Sequence, residues 1–308
     1  MSATYDTIGI NYAELRKPDP RIGAAIHAAL GDARKVLNVG AGAGSYEPLD
    51  RDVTAVEPSA EMISQRAADA APAIQGTAED LPFKDNAFDA SMAVLTIHHW
   101  SDQAKGLREM RRVTRGPISI LTYDPAFRDF WLLDYLPELA ALDDAQMPKL
   151  AFYKDVLGPV KIAPVPIPHD CTDGFLSAYW RRPRAYLDPR IRAAMSSFWK
   201  LGDISAPLAR LEADLASGAW NERYGQLLTR EARDCGYRLV TSREHNCSLF
   251  VLDLWMAPGV GFRPWILTSN DPLPVAAGLI PMPAGAMSVS PAWTWMTAGR
   301  TRIPSPKS

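Results

Sequence analysis

Cysteine is scarce in this chain. The three residues (Cys171, Cys235 and Cys247 in 308) have neither the even count of a disulfide framework nor a C-x-x-C knuckle for zinc. Reduced thiols in a cytoplasmic protein are expected. Long apolar runs are missing as well. No uninterrupted stretch reaches the roughly 18 residues of a membrane span, and Asp6, Glu14, Arg16, Lys17 and Asp19 break up the start, against a secretory signal. Neither sign of charge dominates: 33 Lys and Arg stand against 35 Asp and Glu, for a net charge of -2. Such a balance gives no general attraction to nucleic acid or an anionic membrane. The five histidines form no H-E-x-x-H or other ligand array, so no metal is expected. Internal repeats with a period of about 20–50 residues are also lacking.

What is present is an ordinary globular composition, 47% hydrophobic and 22% charged. Residues 19–31 predict a helix, with Pro20 in its first turn, Ile22, Ile26 and Leu30 on one face, and Gly31 at its end. A short apolar strand at 35–39 runs directly into Gly40-Ala-Gly-Ala-Gly44. Further strands are predicted at 52–56, 73–75, 88–95 and 117–122, with helices at about 58–70 and 102–113 between them. This alternation implies parallel βαβ units with right-handed crossovers.

Beyond residue 126 the pattern loosens. Residues 127–157 look helical and 160–167 look like a strand. An aromatic- and arginine-rich helical insertion is expected at 170–217, then a helix near 220–235 and a last strand at 237–241. Between residues 255 and 299 only Arg263 and Asp271 are charged and no period is evident.

Closely spaced glycines after a buried strand let the main chain turn sharply and touch a ligand. Glu57, ending the next strand, is placed to accept both ribose hydroxyls of an adenosine-containing cofactor. A dinucleotide site would want G-x-G-x-x-G, its last glycine opening a helix that faces pyrophosphate. Here the spacing is G-x-G-x-G followed by Ser45 and Tyr46, and a bulky Tyr suits a ligand without phosphate.

The order VLNVGAGAGSYEP, AVEPS, GTAEDLPFKDNAFDASMAVLTIHHW and TRGPISILTYDP resembles the class I S-adenosylmethionine-dependent methyltransferases, the broad family that includes ubiquinone-biosynthesis C-methyltransferases. The resemblance covers about residues 5–125. It implies an α/β fold: a Rossmann-like sheet with helices on both faces, here with a helical lid insertion and an irregular C-terminal extension. The corresponding divisions are a cofactor-binding core at 1–125, its completion with a lid (about 168–217) at 126–245, and the extension at 246–308. By resemblance, Gly40, Ala41, Gly42 and Gly44 line the methionine moiety of S-adenosyl-L-methionine, with S-adenosyl-L-homocysteine as product. Glu57, followed by Pro58, holds the ribose; Ala78 and Glu79 lie against the adenine; Thr96 sits near the sulfonium. Tyr12 and Arg16, four apart in the leader, share a helix face from which Arg16 could pair with the cofactor's carboxylate. Two positions depart from the family pattern: Asn38 and Thr77 stand where Asp is common.

Methyl transfer needs a general base only if the nucleophile keeps its proton, so catalytic residues are harder to name than cofactor contacts. His98 and His99 follow the fourth strand at the sheet edge where ligands bind, and either could accept a proton or merely shape the pocket. His169, beside the insertion, is a third candidate. Tyr123, Asp124 and Tyr179 are candidate substrate contacts. The expected function is methylation of a small-molecule acceptor, with oxygen, nitrogen or carbon unresolved and self-association into a homo-oligomer allowed. An RNA or protein acceptor, drawing on Tyr179-Trp-Arg-Arg-Pro-Arg184, and a non-enzymatic scaffold are the competing readings. An NAD-dependent oxidoreductase ranks last, since the third glycine spacing is missing.

Overall fold

A computed structural model of the chain describes residues 16–242, all within one compact unit. Tyr12, Cys247 and the extension expected at 246–308 lie outside the described residues.

The strands are β1 (Lys35–Val39), β2 (Asp52–Glu57), β3 (Ala73–Gln75), β4 (Ala90–Val94), β5 (Ile118–Tyr123), β6 (Val160–Pro164), β7 (Ile167–Pro168), β8 (Ala232–Arg233) and β9 (Tyr237–Ser242). Seven form one sheet in the order β3-β2-β1-β4-β5-β9-β6, and β7 pairs with β8 in a separate small ribbon. β1 to β5 pair in parallel, and β9 lies antiparallel between β5 and β6. Chain order reverses at β1, where β2 lies on one side and β4 on the other, leaving a crevice beyond the carboxyl ends of the strands.

The central strands are buried on both faces, which is why β1 and β5 read as apolar runs rather than alternations. Val36, Met92 and Leu121 point to one side, against Ile22, Ile26 and Leu30 from α1 (Pro20–Ala29) and the following turn. Leu37, Val39, Ile118 and Ile120 point to the other, against Leu107, Met110 and Val113 of α3 (Gln103–Val113) and Tyr153 and Leu157 of α5 (Leu150–Leu157). Side-chain caps fix the starts of α1 and α3: Asp19 accepts from Arg21 N at 3.0 Å, and Asp102 from Lys105 N at 2.9 Å.

Three expectations are corrected. The helix expected at 58–70 is only α2 (Ala60–Ser64). Just past its end the Arg66 guanidinium turns inward to Glu47 at 2.8 Å, Ala71 O at 2.9 Å and Gly42 O at 3.1 Å. The strand expected at 160–167 is split between β6 and β7, since Pro164 and Pro166 have no N–H to continue a ladder. The helix near 220–235 ends at Tyr224, followed by a 3-10 turn at Gly225–Thr229.

Among the described residues the insertion carries three 3-10 turns, the short α6 (Pro189–Ala193) and one long helix, α7 (Ser205–Ser217). Rings tie it to the segments on either side. Trp131 meets Trp220 edge-on at 5.3 Å and Tyr186 at 5.5 Å, and its Nε1 donates to Trp180 O at 2.8 Å.

Candidate functional site

A cavity of about 550 Å³ opens at the carboxyl ends of β1, β2 and β4. Its floor is the glycine bend, with Gly40 at φ 68° and Gly42 at φ 53°, both left-handed. Gly40 N and Ala41 N both donate to Val56 O, at 2.8 and 3.1 Å, tying the bend to β2. A Cβ on Gly40 would lie 2.1 Å from Thr96 Oγ1, so only glycine leaves room here. Leu95, just after β4, is also left-handed at φ 51°, a conformation that costs a non-glycine residue roughly 1–2 kcal/mol. It forms part of the cavity wall.

No helix follows the bend; residues 42–46 form turns, so Ser45 and Tyr46 do not open a helix. A pyrophosphate would therefore find no helix N-terminus here. Tyr46 instead reaches down, its hydroxyl donating to Asp173 Oδ2 at 2.9 Å. Asp173 Oδ1 accepts from Arg16 Nε at 2.5 Å, which joins the leader to the insertion at the cavity's edge.

Glu57 is buried at the end of β2. Its Oε2 accepts from Gly42 N at 2.8 Å and its Oε1 from Ser59 N at 2.9 Å. A carboxylate offers about four acceptor positions, so two backbone bonds orient it and still leave capacity for a vicinal diol. Asn38 explains its own departure from the family pattern. Its Nδ2 donates to Glu47 Oε1 at 3.0 Å, and Glu47 is in turn paired with Arg66. An Asp at position 38 would set two carboxylates against each other beside one guanidinium. Asn38→Asp is therefore expected to lower thermal stability, by about 2 kcal/mol at neutral pH, with recovery in acid as the new carboxyl protonates; melting curves at two pH values check this. Asn38 Oδ1, buried at the cavity wall, has no partner among the described residues.

At the far end Gly76, Thr77, Ala78 and Glu79 face Trp100 and Ser101. The Glu79 carboxylate is turned to the loop, accepting from Ser101 Oγ at 2.9 Å and Asp102 N at 3.0 Å. Burial alone would raise its pKa, but these hydrogen bonds outweigh it and hold the group below the usual carboxylate range. That end of the cavity is a slot of backbone and apolar side chains, suited to a flat base.

A second chamber of about 60 Å³ shares Arg16 and Leu95 with the first. His98, Tyr123 and Tyr237 contribute from the sheet edge, Asp143 and Met147 from α4 (Glu138–Gln146) and its cap, and Phe175 and Met195 from the insertion. Tyr237 packs on Phe175 at 4.6 Å and on Tyr123 at 5.4 Å. The two histidines part company: His99 faces the large cavity and His98 the small one, with ring centroids 3.9 Å apart. Burial, then the positive charges of Lys200 and Arg16, lower the His99 pKa to about 4. His98 is also lowered well below the usual imidazole range, mainly by burial and then by His99, so both rings are neutral near pH 7.

Asp143, which sequence reasoning missed, is buried and pushed up to about 7, mainly by desolvation. The signal was available. Leu139, Asp143 and Met147 are spaced four apart, a carboxylate interrupting an apolar helix stripe.

Of the expected cofactor contacts, Arg16, Gly40, Ala41, Gly42, Glu57, Pro58, Ala78, Glu79 and Thr96 line the large cavity. Gly44 lies beside it, against Arg66 and Glu47. Tyr123 lines the small chamber; Asp124 and Tyr179 line neither. His169 pairs with Glu231 at 3.1 Å, away from both. In the basic run Trp180 is fully buried, and Arg182 donates to Cys171 O and Ala178 O at 2.8 and 2.9 Å. Arg181 donates to Arg230 O at 3.1 Å, which leaves Arg184 as the exposed arginine of the three. Among the described residues no cluster of three His, Cys, Asp or Glu side chains is arranged to hold a metal ion, and no helix is long and apolar enough to cross a membrane. Burial pushes the thiols of Cys171 and Cys235 up to about 12, so both are inert.

The large cavity's residues fit an adenosyl sulfonium with an amino-acid tail: a bare glycine bend, a preoriented carboxylate, a flat slot, and an orphaned buried Asn38 oxygen. Comparison with known proteins agrees. The methyltransferase-domain family matches residues 37–116. A crystal structure from Anabaena variabilis, described as a methyltransferase from an antibiotic biosynthesis pathway, is 34% identical with a TM-score of 0.70, covering 75% of this chain and 99% of that one. The uncharacterized methyltransferase YcgJ of Bacillus subtilis is 31% identical over 121 residues, 36% of this chain and 44% of its own. An uncharacterized methyltransferase of Mycobacterium tuberculosis is 40% identical over 89 residues, 27% of this chain and 36% of its own. The alignments thus span less than half the length of these two curated relatives.

Proposed function

Because this chain belongs to the S-adenosylmethionine-dependent class I methyltransferases, we propose that it methylates a small-molecule acceptor whose reacting end enters the inner chamber. When bound, the cofactor supplies a methyl group on a positively charged sulfur. The protein's part is placement. Glu57 holds the ribose from β2, the glycine bend carries the methionyl chain, and residues 76–79 with Trp100 enclose the base. Arg16 and Leu95, common to both cavities, stand where donor and acceptor meet.

One observation carries the choice of acceptor: the inner chamber is small and walled by the insertion. At about 60 Å³, against about 550 Å³ for the first cavity, it is sized for the reacting end of an acceptor. Phe175 and Met195 line it from the insertion and give it an apolar wall. The pathway description of the Anabaena relative supports the same class. An RNA acceptor loses its main support, since Arg181 and Arg182 are engaged with backbone carbonyls of the chain itself.

Incubation with methyl-tritiated S-adenosylmethionine, in parallel with a protein-free metabolite extract, bulk tRNA and a proteome fraction, tests the reading. Label is expected in the metabolite fraction. Label in tRNA or protein instead would overturn it.

A further inference from the structure

We propose that the Asp143 carboxylate is the proton acceptor of the transfer and that the acceptor atom is the oxygen of a neutral hydroxyl group. The proposal rests on the inner chamber being the acceptor site. Asp143 is 5% exposed, it lines that chamber, and among the described residues no N–H or O–H donates to its carboxylate. Buried carboxylates in folded proteins are almost always hydrogen-bonded. One that faces a cavity without a donor is complementary to a ligand that brings one.

The surrounding charges select the donor. Arg128, paired with Asp144 at 2.8 Å, is the cation acting on Asp143, and Asp144 beside it on α4 opposes it. From the other elements Tyr123 on β5, Tyr237 on β9, His98 after β4 and Arg16 face the same chamber. His98 is neutral and the tyrosines are held protonated by burial, so among the described residues lining the chamber Asp143 is the one group that titrates near neutrality. A carboxylate acceptor would face Asp143 itself, and a cationic amine has no lone pair for the methyl carbon until it sheds a proton. A neutral hydroxyl brings both a lone pair and the donor that Asp143 lacks, and Phe175, Met147 and Met195 suit an apolar or aromatic carrier for it.

In the step, the acceptor oxygen gains a bond to the methyl carbon as the carbon–sulfur bond breaks. The hydroxyl proton passes to Asp143, which returns it to solvent when the ether leaves. The neutral histidines are far weaker bases than the carboxylate they accompany, because burial disfavours their charged form.

Fluorine NMR with 4-fluorophenol and 4-fluorotoluene, in the presence of S-adenosylhomocysteine, tests this without turnover. The wild type is expected to hold the phenol at least about tenfold more tightly than the toluene at pH 8, the value of a hydrogen bond to a charged group. The preference should shrink as the carboxyl protonates towards about pH 6. In D143L it should fall to within about twofold of unity, with S-adenosylhomocysteine affinity unchanged as the check on folding. D143N, keeping an acceptor oxygen without a titrating group, should retain part of the preference and lose its pH dependence. Equal preference in the wild type and D143L would overturn the role of Asp143 and leave the acceptor chamber standing. Failure of both compounds to bind the wild type beside S-adenosylhomocysteine would overturn the chamber as acceptor site, and the proposal with it.

Discussion

Glu57→Ala is expected to weaken S-adenosylhomocysteine binding by about 100-fold or more, the loss of two hydrogen bonds to a charged group. Removing the carboxylate does more than delete a ribose contact. It leaves Gly42 N and Ser59 N, donors at 2.8 and 2.9 Å, without their acceptor, so the glycine bend loses one of its anchors to β2 as well. Glu57→Gln sharpens the point. Its amide nitrogen must face either Gly42 N–H or Ser59 N–H, donor against donor, so an isosteric change should still weaken binding by roughly tenfold. Gly40→Val should abolish binding by another route, since a branched side chain would enter the space of Thr96. Titration calorimetry of the three variants against the wild type is the measurement.

The second large effect concerns stability. The Asp143 carboxyl has a folded pKa of about 7 against an unfolded value of 3.8, so the fold prefers it protonated. Stability from this group is complete below the unfolded value, declines as pH rises from about 4 to about 7, and stays lost above. The loss is on the order of 4 kcal/mol if no other group compensates. Asp143→Asn removes the buried charge. It should melt roughly 5–10 °C above the wild type at pH 8 and together with it near pH 4. A gain in stability at the expense of the chamber's chemistry is the signature of a carboxylate retained for function rather than for folding. Equal melting temperatures at pH 8 would mean that the carboxylate is solvated or paired.

How far the sequence could be read depended on whether the signal was local. Lys35–Val39 and the strand ending at Glu57 were legible because buried parallel strands are short, mainly apolar runs. The cofactor cavity was legible for the same reason: its glycines and its carboxylate terminate those strands. Arg66 was not, because its role depends on Glu47, nineteen positions away and brought close only by the sheet. The insertion was legible as aromatic but not in its geometry, since ring packing imposes no sequence period, and Pro183 and Pro189 favour short turns. Asp143 was the most instructive omission. Histidines beside the fourth strand drew attention as bases by residue type, whereas burial weakens them and strengthens a carboxylate on α4.

The functional reading requires that the backbone bend at Gly40–Gly42 and the carboxylate of Glu57 together seat an adenosyl group. A crystal structure of the protein soaked with S-adenosylhomocysteine measures this directly. The ribose hydroxyls should lie within hydrogen-bonding distance of Glu57, with the sulfur between Leu95 and Arg16, facing the small chamber. A ligand bound elsewhere, or side chains filling the bend with Glu57 turned from the cavity, would contradict it.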